Sequence, residues 1–516
     1  MNAVAGTIMG SVRRTAVIDM GSNSFRLVVY GHEPGGPWML TDEIREPVRV
    51  SAGMGDGNEL RRKPMERALR TAEVFAAFCR ASGIDDVIAV GTSAFRDAGN
   101  SPQLLRAIAE STGIEARVLS GPEEARYGYL AIANSTTLTD GFGLDMGGGS
   151  IQLVQLRERE LTQAKSLPLG AVRVSERFLP GGKANGKAMK ALRGHVGSAL
   201  DSLDWFAPGD GAQLAGIGGG LRNLATAAQK RAGYPDVGVQ GYEFERAALE
   251  ELIEELASRP VAKRGAVPGI KPDRGDVILG TALVLAGVMD HGGFHAITVC
   301  EAGLREGIFF ERFLQGVDPP LLDDVRRQSV ENLGRRFHFE PRHVDHVAKL
   351  SLEMYDGLAA AGLVDPSEED RELMWAACML HDVGVTIDYD DHHKHSQYLI
   401  LHAGLPGFTP RELALIALIA RYHRKGDPDV SELGPLARKD DPRMVSLLAA
   451  LIRLAEQLER SRDQAIGEVR VSAADGRVEL EARAVSDGEV ALWSARRSSD
   501  LLARALDLPV EISRGA

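Results

Sequence analysis

The chain has 516 residues, 44% hydrophobic and 26% charged, three cysteines and a formal net charge of −12. That length predicts two to three domains, and no apolar run approaches the ~20 residues of a membrane span. The negative balance argues against a general nucleic-acid binder, because a polyanion must be met by local cations.

In chain order, Met1 to Arg14 has a mild apolar run without a basic stretch before it and reads as a short leader, not a secretion signal. Ala16-Val17-Ile18 then leads into Asp19-Met-Gly-Ser-Asn-Ser-Phe-Arg-Leu-Val-Val-Tyr30, a short strand, a tight turn and a second strand. Further on, Phe142-Gly-Leu144 leads into Asp145-Met-Gly-Gly-Gly-Ser-Ile-Gln-Leu-Val-Gln-Leu156, which repeats the pattern at an offset of 126 residues. Two related half-domains are expected. Between the copies, Glu43–Val50 reads as a strand, Met65–Arg80 and Pro102–Glu110 as helices, and Val87–Val90 and Ala116–Leu119 as buried strands. After the second copy, Leu161–Leu167, Leu214–Ile217 and Ala296–Cys300 read as strands. Such alternation favours an α/β sheet. Past Gly316, Val317-Asp-Pro-Pro320 breaks the pattern and helical periodicity takes over. The tail, Val469–Ser472 and Val478–Arg483 around Asp475-Gly476, reads as a hairpin or small sheet. The expected division is residues 1–136, 137–316 and 317–516.

Cys79, Cys300 and Cys378 stand singly in apolar surroundings without CxxC spacing, the pattern of buried reduced thiols in a cytoplasmic protein. An anionic ligand would need basic spots, for which Arg61-Arg-Lys63, Arg326-Arg327, Arg335-Arg336 and the run Arg421 to Lys425 around His423 are candidates.

In both Asp-Met-Gly turns, glycine lets backbone N–H groups converge while Ser22, Asn23, Ser24 and Ser150 add donors, giving concave anion-binding nests with Gly147 and Gly148. Asp19 and Asp145 cannot themselves welcome a phosphate; a useful role for them is to hold Mg2+. A single such Asp would more often cap its turn, but the same turn twice in register favours a site. A third loop, Ala215-Gly-Ile-Gly-Gly-Gly-Leu-Arg222, runs from strand to helix and offers Gly218, Gly219 and Arg222 to an anion. Arg96 follows a strand and could clamp a phosphate, as a catalytic residue holding the departing group, or pair with Asp97. In Ser120-Gly-Pro-Glu-Glu, Ser120 is the N-cap and Glu123 the capping-box residue. Glu124 is left as the candidate general base, with Glu123 as substitute if the register slips by one.

Together, Asp19–Leu27, Thr92-Ser-Ala-Phe-Arg96, Ser120–Arg126, Asp145–Ser150, Gly216–Arg222 and Gly303-Leu-Arg-Glu-Gly307 resemble the exopolyphosphatase and guanosine-pentaphosphatase family over about the first 315 residues. The resemblance implies two ribonuclease-H-like, actin-like halves around a cleft and release of terminal phosphate from polyphosphate. Alternatives left open are guanosine pentaphosphate as substrate, a non-catalytic sensor of such anions and an ATP-dependent kinase of the same fold. By motif it implies Glu124 as catalytic base, Asp145 as a magnesium ligand, and Ser22, Asn23, Arg96, Gly147, Gly148 and Ser150 as phosphate contacts. It also implies a homodimer. Family members usually carry a carboxylate where this chain has Gln152, whose amide oxygen can ligate a cation but brings no charge. The C-terminal region is similar to the family's helical domain and to HD phosphohydrolases, with His346, His381-Asp382, His392, His393, His395 and Glu456 as possible metal ligands. It is expected to be an inherited scaffold with His381 and Asp382 as remnants; a phosphodiesterase centre there is the alternative.

Overall fold

The computed structural model describes residues 12–54, 57–207, 209 and 211–515. The leader reading therefore lies almost wholly outside the described residues. The chain divides into two compact units, one comprising the chain to Ala232 plus Val239–Val325, the other Arg326–Ala516 plus the short segment Gly233–Gly238.

In the first unit, β1 (Arg13–Met20), β2 (Phe25–His32) and β3 (Trp38–Glu46) form an antiparallel meander. Helix α1 (Arg62–Ala81) follows, its buried Ala68, Ala72, Phe75, Ala76 and Cys79 spaced at three and four residues along one face. Strand β4 (Asp86–Gly91) then pairs parallel to β1, and after α2 (Ser93–Asp97) and α3 (Ser101–Thr112), β5 (Ala116–Val118) pairs parallel to β4. Helix α4 (Gly121–Ala133) closes the first half. Two expectations shift here. The strand expected over Glu43–Val50 stops at Glu46, before Pro47, which has no N–H for the ladder. The strand at Ala116 lies at the sheet edge with Arg117 exposed, not buried as its apolar residues suggested.

The second half repeats this order. Strands β6 (Gly141–Met146), β7 (Ile151–Arg157) and β8 (Glu160–Leu167) form the meander. Helices α5 (Ala171–Phe178) and α6 (Gly186–Leu200) follow, and β9 (Leu214–Ile217) pairs parallel to β6. Next come α7 (Gly219–Arg231), β10 (Tyr242–Glu245), α8 (Arg246–Ser258), α9 (Val261–Arg264), α10 (Ile278–Gly292) and β11 (Ala296–Val299). The two sheets run β3-β2-β1-β4-β5 and β10-β11-β9-β6-β7-β8. Taken from β8, the second sheet matches the first strand for strand as β8-β7-β6-β9-β11, with β11 in the place of β5 and β10 adding an antiparallel edge. Helix α10 is buried on every side from Ile278 to Met289, which explains its all-round apolar sequence. Helix α4 and α11 (Leu304–Phe313) share a core with both sheets, joining Val17 and Val28 of one to Val154, Leu156 and Ile217 of the other through Leu130, Ile132, Ile308 and Phe309.

The second unit is helical. It contains α12 (Val325–Arg336), α13 (Pro341–Ala360), α14 (Glu368–Leu380), α15 (His392–Ala403), α16 (Pro410–Arg421) and α17 (Asp441–Leu458) around one apolar core. The expected tail hairpin is present as β12 (Ile466–Ala474) and β13 (Arg477–Ala484), turning at Asp475-Gly476 with both residues at positive φ. After α18 (Glu489–Arg496) and α19 (Asp500–Leu506), β14 (Val510–Gly515) adds parallel to β13. Cys79, Cys300 and Cys378 are free and buried. Among the described residues no helix is long and apolar enough to cross a membrane.

Candidate active site

The two repeated turns close with the same backbone bond, Gly21 N–H to Ser24 O at 3.2 Å and Gly147 N–H to Ser150 O at 3.1 Å. Each turn thus folds back on itself and leaves the amides between in a concave loop. The loops lie against one another. A Cβ on Gly149 would sit 2.2 Å from Ser93 Oγ and 3.1 Å from Ser22 Oγ, so only glycine permits this approach. Ser22 and Ser93 hydroxyls are themselves 2.9 Å apart. The third loop joins them at Gly218, which has φ +122 and packs against Met146 O, and from there α7 points its N-terminus at the same space.

All three loops line one cleft. Its walls carry Asp19, Ser22, Asn23, Ser24, Glu124, Asp145, Gly147, Gly148, Ser150, Gly218, Gly219 and Arg222, twelve of the fourteen residues singled out from sequence. Arg96 and Gln152 stand behind it. Arg96 donates from Nη1 to Glu124 Oε2 and to Leu119 O, both at 2.9 Å, so its guanidinium is engaged in fixing the carboxylate. Asp97 pairs instead with Arg173. Gln152 faces Asp145 across the β6–β7 ladder, donates to Ser150 Oγ at 2.8 Å and Ser166 Oγ at 3.1 Å, and leaves its Oε1 buried without a donor.

Helix α4 separates the two adjacent glutamates. The Ser120 hydroxyl caps Glu123 N–H, and Glu123 accepts from Ser120 N–H at 2.8 Å and pairs with Arg117 at 2.8 Å, so Glu123 faces outward as a cap. Glu124, one position further round the helix, is only 6% exposed and turns into the cleft. Burial raises its pKa, Arg96 opposes that shift, and Asp19 adds to it.

The sequence reading missed three cleft cations, Arg26, Arg274 and Arg305. Arg26 sits opposite Asp19 on β2, seven residues along the motif, which is the one signal that could have found it. Arg305, from the Gly303–Gly307 motif, is 8% exposed, with a buried Nη1 that makes no hydrogen bond among the described residues. Asp19 and Asp145 lie at the cleft floor. Burial raises the pKa of both, that of Asp145 to about 7 with Glu124 and Asp19 pushing the same way, while Arg305 and Arg26 draw Asp19 down. Two buried carboxylates with raised pKa, beside an amide oxygen that lacks a donor, are a donor set suited to a hard, oxygen-ligated divalent ion.

In the second unit, His381, Asp382, His392 and Glu456 gather in the interior, joined by His343 and His423, which sequence reasoning had not connected to them. His346 instead lies 2.8 Å from Ile466 O, while the His393 ring packs edge-on against His392 and His423. The basic spots proposed for an anion there are largely matched by acids: Arg326 by Glu372 and Glu412, both at 2.7 Å, and Lys425 by Asp391 at 2.9 Å.

Two actin-like halves with three glycine loops, a carboxylate and a cluster of arginines in the cleft define a phosphate-handling enzyme of the actin-like class. The chain belongs to the Ppx/GppA phosphatase family, whose model matches residues 28–315, while the model of the family's domain III matches residues 325–489. Among solved structures, a Ppx/GppA family member from Aquifex aeolicus is 23% identical, with 59% of this chain and 98% of that one covered and a TM-score of 0.52. An exopolyphosphatase from Cytophaga hutchinsonii is 22% identical, with 58% and 98% covered and a TM-score of 0.53. At these identities the likeness establishes the fold.

Proposed function

We propose that this chain is an exopolyphosphatase, releasing terminal orthophosphate from linear polyphosphate by attack of water. The observation that carries this reading is the lining of the cleft: Arg26, Arg222, Arg274 and Arg305 stand with the three glycine loops, and no aromatic residue is among the described lining residues. Four cations and backbone donors suit a chain of phosphates, whereas a nucleoside base is commonly gripped by stacking. This favours polyphosphate over guanosine pentaphosphate. The support comes from the cleft itself and not from the helical unit, whose basic side chains are largely paired.

Glu124 is the base that takes the proton from the attacking water. Arg96 holds that carboxylate in one orientation and opposes the rise in proton affinity that burial causes. The loop amides at Ser22–Ser24 and Gly147–Ser150, the start of α7, and the arginines hold the phosphoryl oxygens and take up the negative charge that builds on them in the transition state. Asp145 and Asp19 would hold Mg2+, with Gln152 beside them, and the ion when bound supplies further charge neutralisation. Ordered donors of this kind act without reorganising during the reaction.

Glu124→Gln should keep polyphosphate affinity within a few-fold and lower kcat by at least ~10²-fold, the usual contribution of a general base. Phosphate release from long-chain polyphosphate and from guanosine pentaphosphate, with and without magnesium, decides the substrate. Faster release from the nucleotide would replace polyphosphate as the substrate. Tight binding of both with release of neither would make the chain a sensor.

A further inference from the structure

We propose that the second unit contains its own transition-metal site, separate from the phosphate cleft, built by His343, His381, Asp382, His423 and Glu456 with His392 alongside. Two overlapping sets, His343 with His381 and Glu456, and His381 with Asp382 and His423, each present ligand atoms within 4.8 Å of one another. These residues come from the start of α13, the end of α14, the end of α16 and the last turns of α17, so four helices converge on one point in the core.

The imidazoles are oriented from behind. His381 Nδ1 lies 2.6 Å from Cys378 O, His423 Nδ1 2.7 Å from Ala420 O, and His392 Nδ1 2.8 Å from Tyr389 O, where Arg424 also donates at 3.2 Å. A carbonyl accepts, so Nδ1 of His381 and of His423 carries a proton and in the neutral ring each Nε2 turns a lone pair inward, while His392 Nδ1 also lies 3.2 Å from Arg424 Nη1. The Nε2 atoms converge on oxygen: Asp382 Oδ1 is 3.2 Å from His392 Nε2, 3.7 Å from His381 Nε2 and 3.9 Å from His423 Nε2. Glu456 Oε2 is 3.0 Å from His343 Nε2 and 3.3 Å from His381 Nε2. The Nε2 atoms of His392 and His423 are 3.1 Å apart.

Acceptors facing acceptors at such distances repel unless a proton or a metal ion lies between them. His343 Nε2, His381 Nε2 and Glu456 Oε2 are buried and make no hydrogen bond of acceptable geometry, although His343 and His381 are 2% and 0% exposed. Buried polar atoms are seldom left so. Arg462 caps one side, donating to Asp382 Oδ2 at 2.6 Å and to Glu340 at 2.8 Å, which holds that carboxylate with Oδ1 facing inward. Imidazole nitrogens with carboxylate oxygens and no thiolate select a divalent first-row ion such as Zn2+, Mn2+ or Co2+ over Mg2+ or Ca2+. The enclosure of the site fits an ion that stabilises the fold.

The full-length chain, stripped with a chelator, is titrated with Co2+ and with Zn2+. Expected are near-stoichiometric tight binding, a visible d–d spectrum with nitrogen ligation, and a rise in unfolding temperature. His423→Gln and His343→Gln should each lower Co2+ affinity at least tenfold, while Asp145→Asn, which alters the phosphate cleft, should leave it unchanged. Should the histidine variants fail to fold, spin-echo detection of imidazole nitrogen around Cu2+ in the Asp145→Asn protein decides the matter, since the phosphate cleft has no histidine among its described lining residues. Weak binding in the otherwise unaltered chain, binding indifferent to both histidine variants, or tight binding lost only in Asp145→Asn would each overturn the proposal.

Discussion

Two consecutive glutamates on α4 do different work because a helix turns about 100° per residue. Glu123 closes the cap and stays in solvent; Glu124 is buried against Arg96. That contact makes a pH prediction. Burial lifts the Glu124 pKa and Arg96 lowers it, so Arg96→Gln should move the acid limb of the kcat/KM profile to higher pH. A base works only when ionised, and the variant should therefore lose most activity at mildly acid pH and recover part of it in alkali. A uniform loss at every pH would remove Arg96 from this role. Asp145 gives a second test, on stability. Its folded pKa of about 7 lies above the ordinary 3.8 of an aspartate, so the native state binds this proton more tightly than the unfolded chain and stability falls as pH rises between those values. Asp145→Asn removes that penalty. In chelator at pH 8 the variant should unfold a few degrees higher than the parent chain, while losing phosphohydrolase activity.

At the scale of elements, the hairpin turns were readable because their signals are local: Asp, Gly and Ser fix a tight turn within six residues, and the repeat offset carries the pattern from one half to the other. The capping box on α4 was readable for the same reason. Arg305 and Arg274 were not, since each reaches the cleft only through the packing of distant segments, and an arginine on a helix reads equally well as surface. The histidines at 343 and 423 likewise lie far along the chain from His381 and meet it only when four helices close on a core. The edge position of β5 depends on sheet order, which three residues cannot encode. Loop contact also predicts a mutational effect. Gly149→Ala places a methyl group 2.2 Å from Ser93 Oγ, so the turns must part. With the donors displaced by about 1 Å, kcat/KM should fall by ~10²-fold with the fold retained by circular dichroism. An unchanged rate would show that the loops do not grip the substrate jointly.

The whole molecule consists of two compact units with separate cores. Ligands that bind only one of them should reveal this in calorimetry. A non-hydrolysable phosphate chain with Mg2+, at about 100 times its dissociation constant, adds ~2.7 kcal/mol to the unit it binds. Two transitions are expected, with only the one from the cleft-bearing unit moving upward; a single transition shifting as a whole would mean the units unfold together.

The repeated turns have a further consequence for direction. If polyphosphate is the substrate, its strand is the same read from either end, and two loops of one design would grip it without distinguishing those ends. Handedness in the site comes from what is not duplicated: Glu124 on one helix only, and Arg26 opposite Asp19 where the other copy sets Gln152 opposite Asp145. An acid without a counterpart in the other half would give such a strand a head and a tail.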